Sequence, residues 1–246
     1  MKRCTAVKVK NLLNRLIYPH TYSSDAYIRY LKKSGIAVGK DCHVFQPKTV
    51  SIDMFRPYLL SIGDNVVICA KTTILTHDYS HTVLLKKYGR NIGDAKPVSI
   101  GNNVFIGIDA MILMGTEIGN NVIIGAKSVV RGKIPDNCVV AGNPAKVICS
   151  IDRFYEKRKM YEMDCAVNNV QLSQQKIGRN PTLDEMGDAF AWLYLPHTEE
   201  TIAAYPQFFQ LPGKDSEEIK SQFLASESSF DSYGNFLEFV EQQSKC

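Results

Sequence analysis

Between Pro97 and Val130 the chain keeps one beat: Ile100, Ile106, Ile112, Ile118, Ile124 and Val130 stand six residues apart. A helix returns a side chain to the same face about every 3.6 residues and a strand every two, so neither element alone produces this spacing. Gly101, Gly107, Gly119 and Gly125 follow four of the six aliphatics. A short strand and a turn, repeated, is the hexapeptide signature of a parallel β-helix. Two residues before each aliphatic stand Val98, Val104, Ala110, Thr116, Val122 and Ser128, all small or β-branched, as a tight wall beside a corner requires. Asn102, Asn103, Asn120 and Asn121 fall in the turns, where Asn tolerates a positive φ. Ordinary strands joined by Gly-Asn turns would not hold the beat through six units.

The remainder of the chain is read against this core. Its 246 residues allow one large domain or one domain with an appendage, and 45% hydrophobic with 22% charged residues is ordinary globular composition. A formal charge of +4 is too modest to imply a nucleic-acid partner. The seven cysteines are scattered without a CxxC pair, and three stand where the repeat takes a small apolar residue. They read as reduced thiols of a cytoplasmic protein. The segment 1–35 is basic, with apolar residues at helical intervals; Ser23 or Ser24 caps a helix that Gly35 stops. Its expected place is over the open end of the coil, where strand edges need covering. Its basic face is also compatible with peripheral contact to anionic lipid.

The beat starts at Val38, Val44 and Val50, is lost at Arg56, and returns in register at Ile62, Ile68 and Ile74. Pro57 marks the lost unit as an irregular coil. Residues 76–96 then form a polar, aperiodic excursion containing His77 and His81; a loop this long in a compact fold is usually functional or disordered, and its charge and two histidines favour function. After Val130, Ile134 and Pro135 read as the start of a turn, and Val139 and Val140 as a last strand. Residues 149–246 read as a helical extension with an aromatic core that shields the second end of the coil. Within it Thr182 and Glu185 have the spacing of a capping box.

The run IGNNVFIGIDAMILMGTEIGNNVIIGAKSVVRGKIPDNCVVAGNPAKVI resembles the hexapeptide-repeat acyltransferases. The resemblance is to the branch of galactoside, maltose and surface-polysaccharide O-acetyltransferases, and it spans roughly residues 38–148. It implies a mainly β fold: a left-handed parallel β-helix over 36–148, assembled as a homotrimer with active sites between subunits. It implies acetyl-CoA as acyl donor, no metal, and a saccharide acceptor, with His77 as the general base that opens the excursion. A hydroxyl is a poor nucleophile at neutral pH, so a positioned imidazole must take its proton. Carried over residue by residue, Ile108 and Ala126 would line the pantetheine arm, Lys146 would take the place of a phosphate-binding arginine, and Asp53 and Gln46 would contact the sugar. Arg131 stands where the family shows a threonine and, with Lys133 and Lys127, would supply positive charge for the CoA phosphates; Phe105 departs from the family's tryptophan. His81 is a rival base or an acceptor ligand, and Asp78 a group that orients either ring. Three other readings stay open: N-acetyl transfer to an amino sugar, a non-catalytic scaffold, and a γ-type carbonic anhydrase with histidine-bound zinc.

Overall fold

The computed structural model describes residues 15–211, 214–215 and 217–243. It divides into two compact units, Met1–Phe154 and Tyr155–Cys246. Residues 1–14, read above as the start of a basic helical segment, lie outside the described residues.

In the first unit the strands run β1 (Ala37–Val38), β2 (His43–Val44), β3 (Ser51–Ile52), β4 (Leu60–Ile62), β5 (Val66–Ile68), β6 (Thr73–Ile74), β7 (Val98–Ile100) and β8 (Val104–Ile106). They continue through β9 (Met111–Ile112), β10 (Glu117–Ile118), β11 (Val122–Ile124), β12 (Val129–Val130), β13 (Lys133–Ile134) and β14 (Cys138–Gly142) to β15 (Ala145–Ser150). Each strand from β1 to β11 pairs in parallel with the strand three places on, which gives three sheets: β1-β4-β7-β10-β13, β2-β5-β8-β11-β14 and β3-β6-β9-β12. We call these faces A, B and C. A chain that visits three faces in rotation and stacks each strand on its predecessor is a three-sided coil. The register places like on like: Ile62 on Ile100 and Ile118, Ile68 on Ile106 and Ile124, Ile74 on Ile112 and Val130. These inward aliphatics are at most 4% exposed, and the small wall residues Val98, Val104, Ala110, Thr116, Val122 and Ser128 are buried with them. One core therefore fills the axis.

The corner between faces A and B is laced by side chains. Asp64 Oδ1 accepts from Lys40 N at 2.7 Å, Asn102 Oδ1 from Asp64 N at 2.8 Å, Asn120 Oδ1 from Asn102 N at 2.8 Å, and Asp136 Oδ1 from Asn120 N at 2.7 Å. Each carboxylate or amide thus satisfies a backbone donor of the coil before it. Beside this column Asn65, Asn103, Asn121 and Asn137 adopt φ between 53° and 56°, the left-handed turn conformation that Asn tolerates.

The first coil corrects the sequence reading. The inward residue on face C is Ile52, paired with Ile74, and not Val50. A 3-10 turn at Pro47–Thr49 inserts two residues before it, and a second at Pro57–Leu59 accompanies four more before Ile62. Two and four make one period, which is why the beat returns in register after Arg56. Ile134 also departs from expectation: it is strand, 7% exposed and paired with Ile118. The coil has there shortened by two residues. β15 turns back antiparallel on β14, an element the hexapeptide pattern does not announce.

Before the coil, α1 (Ser24–Lys33) is capped by Ser23 Oγ, which accepts from Ala26 N at 3.2 Å, and the chain turns at Gly35 with φ +98°. Tyr27 and Leu31 enter the same core as Val44. The faces differ outside. On face A the outward residues are Ser61, Ser99, Glu117 and Lys133. On face B they are Val67, Phe105, Ile123 and Val139, an apolar column.

The second unit is helical, with α3 (Ile151–Ile177) reaching into it, then α4 (Leu183–Met186), α5 (Ala191–Tyr194), α6 (Glu199–Ala204), α7 (Glu217–Leu224) and α8 (Tyr233–Gln243). The Thr182–Glu185 capping box is present, but α4 ends after one turn at Gly187, φ +68°. Tyr194, Phe208, Phe209, Phe223 and Phe236 form the core, with Phe190, Trp192 and Phe239 packed against it.

Candidate active site at the corner of faces C and A

Both irregular segments of the coil, 53–59 and 76–97, leave at the same corner, between faces C and A, on adjacent turns. Asp53 follows the face C strand of the first coil and His77 that of the second. Asp53 N donates to Ile74 O at 3.0 Å, which fixes the two chain segments side by side. The neck of the excursion is closed by Lys96 N donating to Thr76 O at 3.0 Å and by a bridge between His77 and Ala95.

Held this way, His77 Nδ1 hydrogen-bonds Asp53 Oδ2. The same oxygen accepts from the Thr76 hydroxyl and from Thr76 N at 3.3 Å, while Oδ1 accepts from Phe55 N at 2.9 Å. The Asp53 side chain is 5% exposed and that of His77 18%. Burial pushes the Asp53 carboxyl up, but the donors from Thr76, Phe55 and His77 together outweigh it and hold it below the ordinary carboxylate range. An ionised carboxylate there fixes Nδ1 as the protonated nitrogen. Nε2 of His77 has no hydrogen bond to protein among the described residues. The sequence reading put Asp53 on the sugar; its oxygens are instead engaged beneath the imidazole. Asp78, expected beside one of the rings, accepts from Ser80 N and Oγ at 2.9 and 2.7 Å, and that pair holds its carboxyl down.

A cleft of about 360 Å³ opens over His77, lined among others by Phe55, Arg56, Tyr79 and His81. The Tyr79 ring lies between two imidazoles, 5.3 Å from His77 and 5.4 Å from His81, and Phe55 lies 6.1 Å from His77. His81 begins the helix α2 (His81–Tyr88), which the aperiodic sequence concealed. Its Nδ1 is buried without a hydrogen-bond partner among the described residues. Phe55, Arg56 and Tyr79 were not singled out by sequence reasoning. The signal for the first two was the missing aliphatic at Arg56.

The other candidates lie elsewhere on the coil. Gln46 stands in the turn before Pro47, φ 47°, between faces B and C. Ile108 and Ala126 occupy that same corner two and three coils on, joined by Lys127 N donating to Ile108 O at 2.9 Å. Ile108 is 47% exposed. Lys146 follows on the β14–β15 hairpin, opposite Ala141. Arg131, between β12 and β13, belongs to the His77 corner. Face C, roughly 15–20 Å of extended chain, separates the two groups within one molecule. Among the described residues, no three or more His, Cys, Asp or Glu side chains gather as a metal-binding group.

Residues 97–132 match the family model of the bacterial transferase hexapeptide (six repeats). The chain is 42% identical over 127 residues to protein CapG of Staphylococcus aureus, covering 52% of this chain and 73% of that protein. The chain belongs to the hexapeptide-repeat acyltransferases. The chain is also similar to the galactoside O-acetyltransferase of Escherichia coli K12, 37% identical over 119 residues, 48% of this chain and 56% of that protein. The chain thus spans little more than half of the latter's length. A maltose O-acetyltransferase structure from Clostridium difficile 630 is 32% identical, covers 51% of this chain and 75% of its own, and superposes with a TM-score of 0.42. The family-model match lies within the repeat region, and the helical unit falls outside it. No described helix is long and apolar enough to cross a membrane.

Proposed function

We propose that this chain is an acetyl-CoA-dependent O-acetyltransferase acting on a sugar hydroxyl, with His77 as general base. The observation that carries the proposal is the Asp53–His77 pair at the mouth of the cleft. Asp53 holds Nδ1 protonated, so the lone pair on Nε2 accepts the proton of the acceptor hydroxyl as its oxygen attacks the thioester carbonyl. The carboxylate offsets the charge of the imidazolium that forms. Collapse of the tetrahedral adduct breaks the C–S bond, and the proton passes from His77 to the departing CoA sulfur. A hydroxyl needs this assistance more than a free amine does, which favours O- over N-transfer.

Ile108, Ala126 and Lys146 mark one corner as the groove for the CoA arm, with Arg131 and His77 on another. The proposal joins them by assembly. Three left-handed coils packed as a homotrimer would bring the groove of one copy against the His77 corner of its neighbour. The apolar outer column Val67, Phe105 and Ile123 on face B supports burial of that face. Release of CoA thiol from acetyl-CoA, measured against a panel of sugars, tests the reading. His77→Ala is expected to lower turnover by about 10²–10⁴-fold while acetyl-CoA binding persists. Turnover retained in that variant removes His77 as base, and failure of every acceptor to release thiol above the variant's background removes the enzymatic reading.

A further inference from the structure

We propose that Arg56 binds a carboxylate on the acceptor, so that the cleft prefers sugar acids of the uronic type to their neutral counterparts; this rests on the sugar-hydroxyl reading above. Arg56 stands where the six-residue beat calls for a buried aliphatic, in the segment that carries the four surplus residues of the first coil. Met54 alone of them packs against the core, while Phe55 and Tyr58 are exposed, and Ile52 and Ile62 already fill the neighbouring inward positions. Their effect is to place Phe55 and Arg56 at the rim of the His77 cleft.

Charge accounting in the cleft singles out the guanidinium. Asp53 is engaged by His77 and Thr76, Asp94 pairs with Lys96 at 2.8 Å, and Asp78 is held by Ser80. Among the described residues, no carboxylate forms an ion pair with Arg56. Its planar fork suits a carboxylate held by two parallel bonds.

The spacing also suits one sugar ring. Phe55 is 74% exposed, its ring centroid 6.1 Å from that of His77 and 5.4 Å from Arg56 Cζ. The base and the cation therefore neighbour the same aromatic ring. A pyranose laid with its C–H face on Phe55 would present a hydroxyl towards His77 and a carboxylate substituent towards Arg56.

The test compares the methyl glycosides of glucose, galactose and mannose with the corresponding uronides as acceptors for wild type, Arg56→Gln and Arg56→Lys. The readouts are thiol release and, independently, calorimetric binding of each sugar. In wild type kcat/KM for at least one uronide is expected to exceed that of its neutral partner by about 10-fold or more, the scale of a charge-assisted hydrogen bond. The ratio falls towards one in Arg56→Gln and is partly restored in Arg56→Lys, which keeps the charge but loses the fork. A wild-type ratio near one, or a ratio that survives Arg56→Gln, overturns the inference while leaving the transferase reading intact. If no sugar releases CoA, the transferase reading fails. Uronide binding then decides for Arg56: binding lost in Arg56→Gln sustains carboxylate recognition, and binding absent or unaltered overturns it.

Discussion

Replacing Asp53 by Asn separates two roles: the ligand for the sugar expected from the sequence, and the partner of the His77 imidazole seen in the structure. The side chain is 5% exposed, with Oδ2 accepting from Thr76 N, the Thr76 hydroxyl and His77 Nδ1, and Oδ1 from Phe55 N. An amide has one acceptor oxygen. With its NH2 at the Oδ1 position it faces the Phe55 N–H; at the Oδ2 position it faces the Thr76 N–H. Either way one backbone donor meets a donor, which costs about 1–3 kcal/mol of stability. The kinetic effect is larger. The charge that stabilises the imidazolium is gone, and in the second placement Nδ1 must become an acceptor, which puts the proton on Nε2 and disables the base. A loss of about 10²–10⁴-fold in kcat, the whole worth of general-base assistance, corresponds to about 2.7–5.4 kcal/mol at 1.36 kcal/mol per decade. Initial rates of thiol release at varied acceptor concentration separate kcat from KM. Urea unfolding measures the stability term. A variant whose acceptor KM rises while kcat stays within a few-fold of wild type would refute the reasoning and return Asp53 to the sugar. The stability term also has a pH signature. A carboxyl held below its ordinary value stabilises the fold above about pH 4, and that contribution is lost as pH falls through the lower folded value. The gap between wild type and Asp53→Asn should therefore narrow in acid.

Three further outcomes follow from the fold. Phe105→Asp places a charge in the apolar column of face B and is expected to shift the assembly towards monomers in sedimentation velocity, with the circular dichroism of the coil retained. Gly101→Ala would bring a Cβ to 2.5 Å from Gly119 O, a backbone atom that cannot yield; a loss of about 1–3 kcal/mol is expected from urea midpoints. In the second unit, the Arg179 guanidinium and the Thr182 N–H hold the Glu185 carboxyl down at about 2. Its contribution is present above the ordinary carboxylate range and is lost as pH falls from about 4.5 towards 2. A carboxyl NMR titration checks the value, and Glu185→Gln should remove that acid-sensitive component of unfolding.

What could be read from the sequence was what repeats. Ile100 to Val130 announced strands, turns and inward columns because each coil poses the same steric problem and solves it with the same residue types. His77 was legible for the opposite reason, as a titratable side chain at the point where repetition stops. Asp53 was identified as a site residue but given another task. Its neighbour across the coil is set by pairing with Ile74, and two insertions hide that pairing. Ile134 was missed because its strand comes two residues early, and α2 because an eight-residue helix with no buried side chain has no apolar stripe to reveal it. The aromatic residues of the second unit were legible as a core, but the brevity of α4 depended on the single backbone conformation at Gly187.

The surplus residues of the first coil, two and then four, add up to one period, so the strands of the second coil stand where a plain coil would have put them. Whatever chemistry is written into positions 55–59 is thus insulated from the stacked columns beyond. On the proposed reading, acceptor choice becomes an exchangeable cassette: loops of equal length and different side chains could be installed there without disturbing the corner that Ile108 and Ala126 occupy.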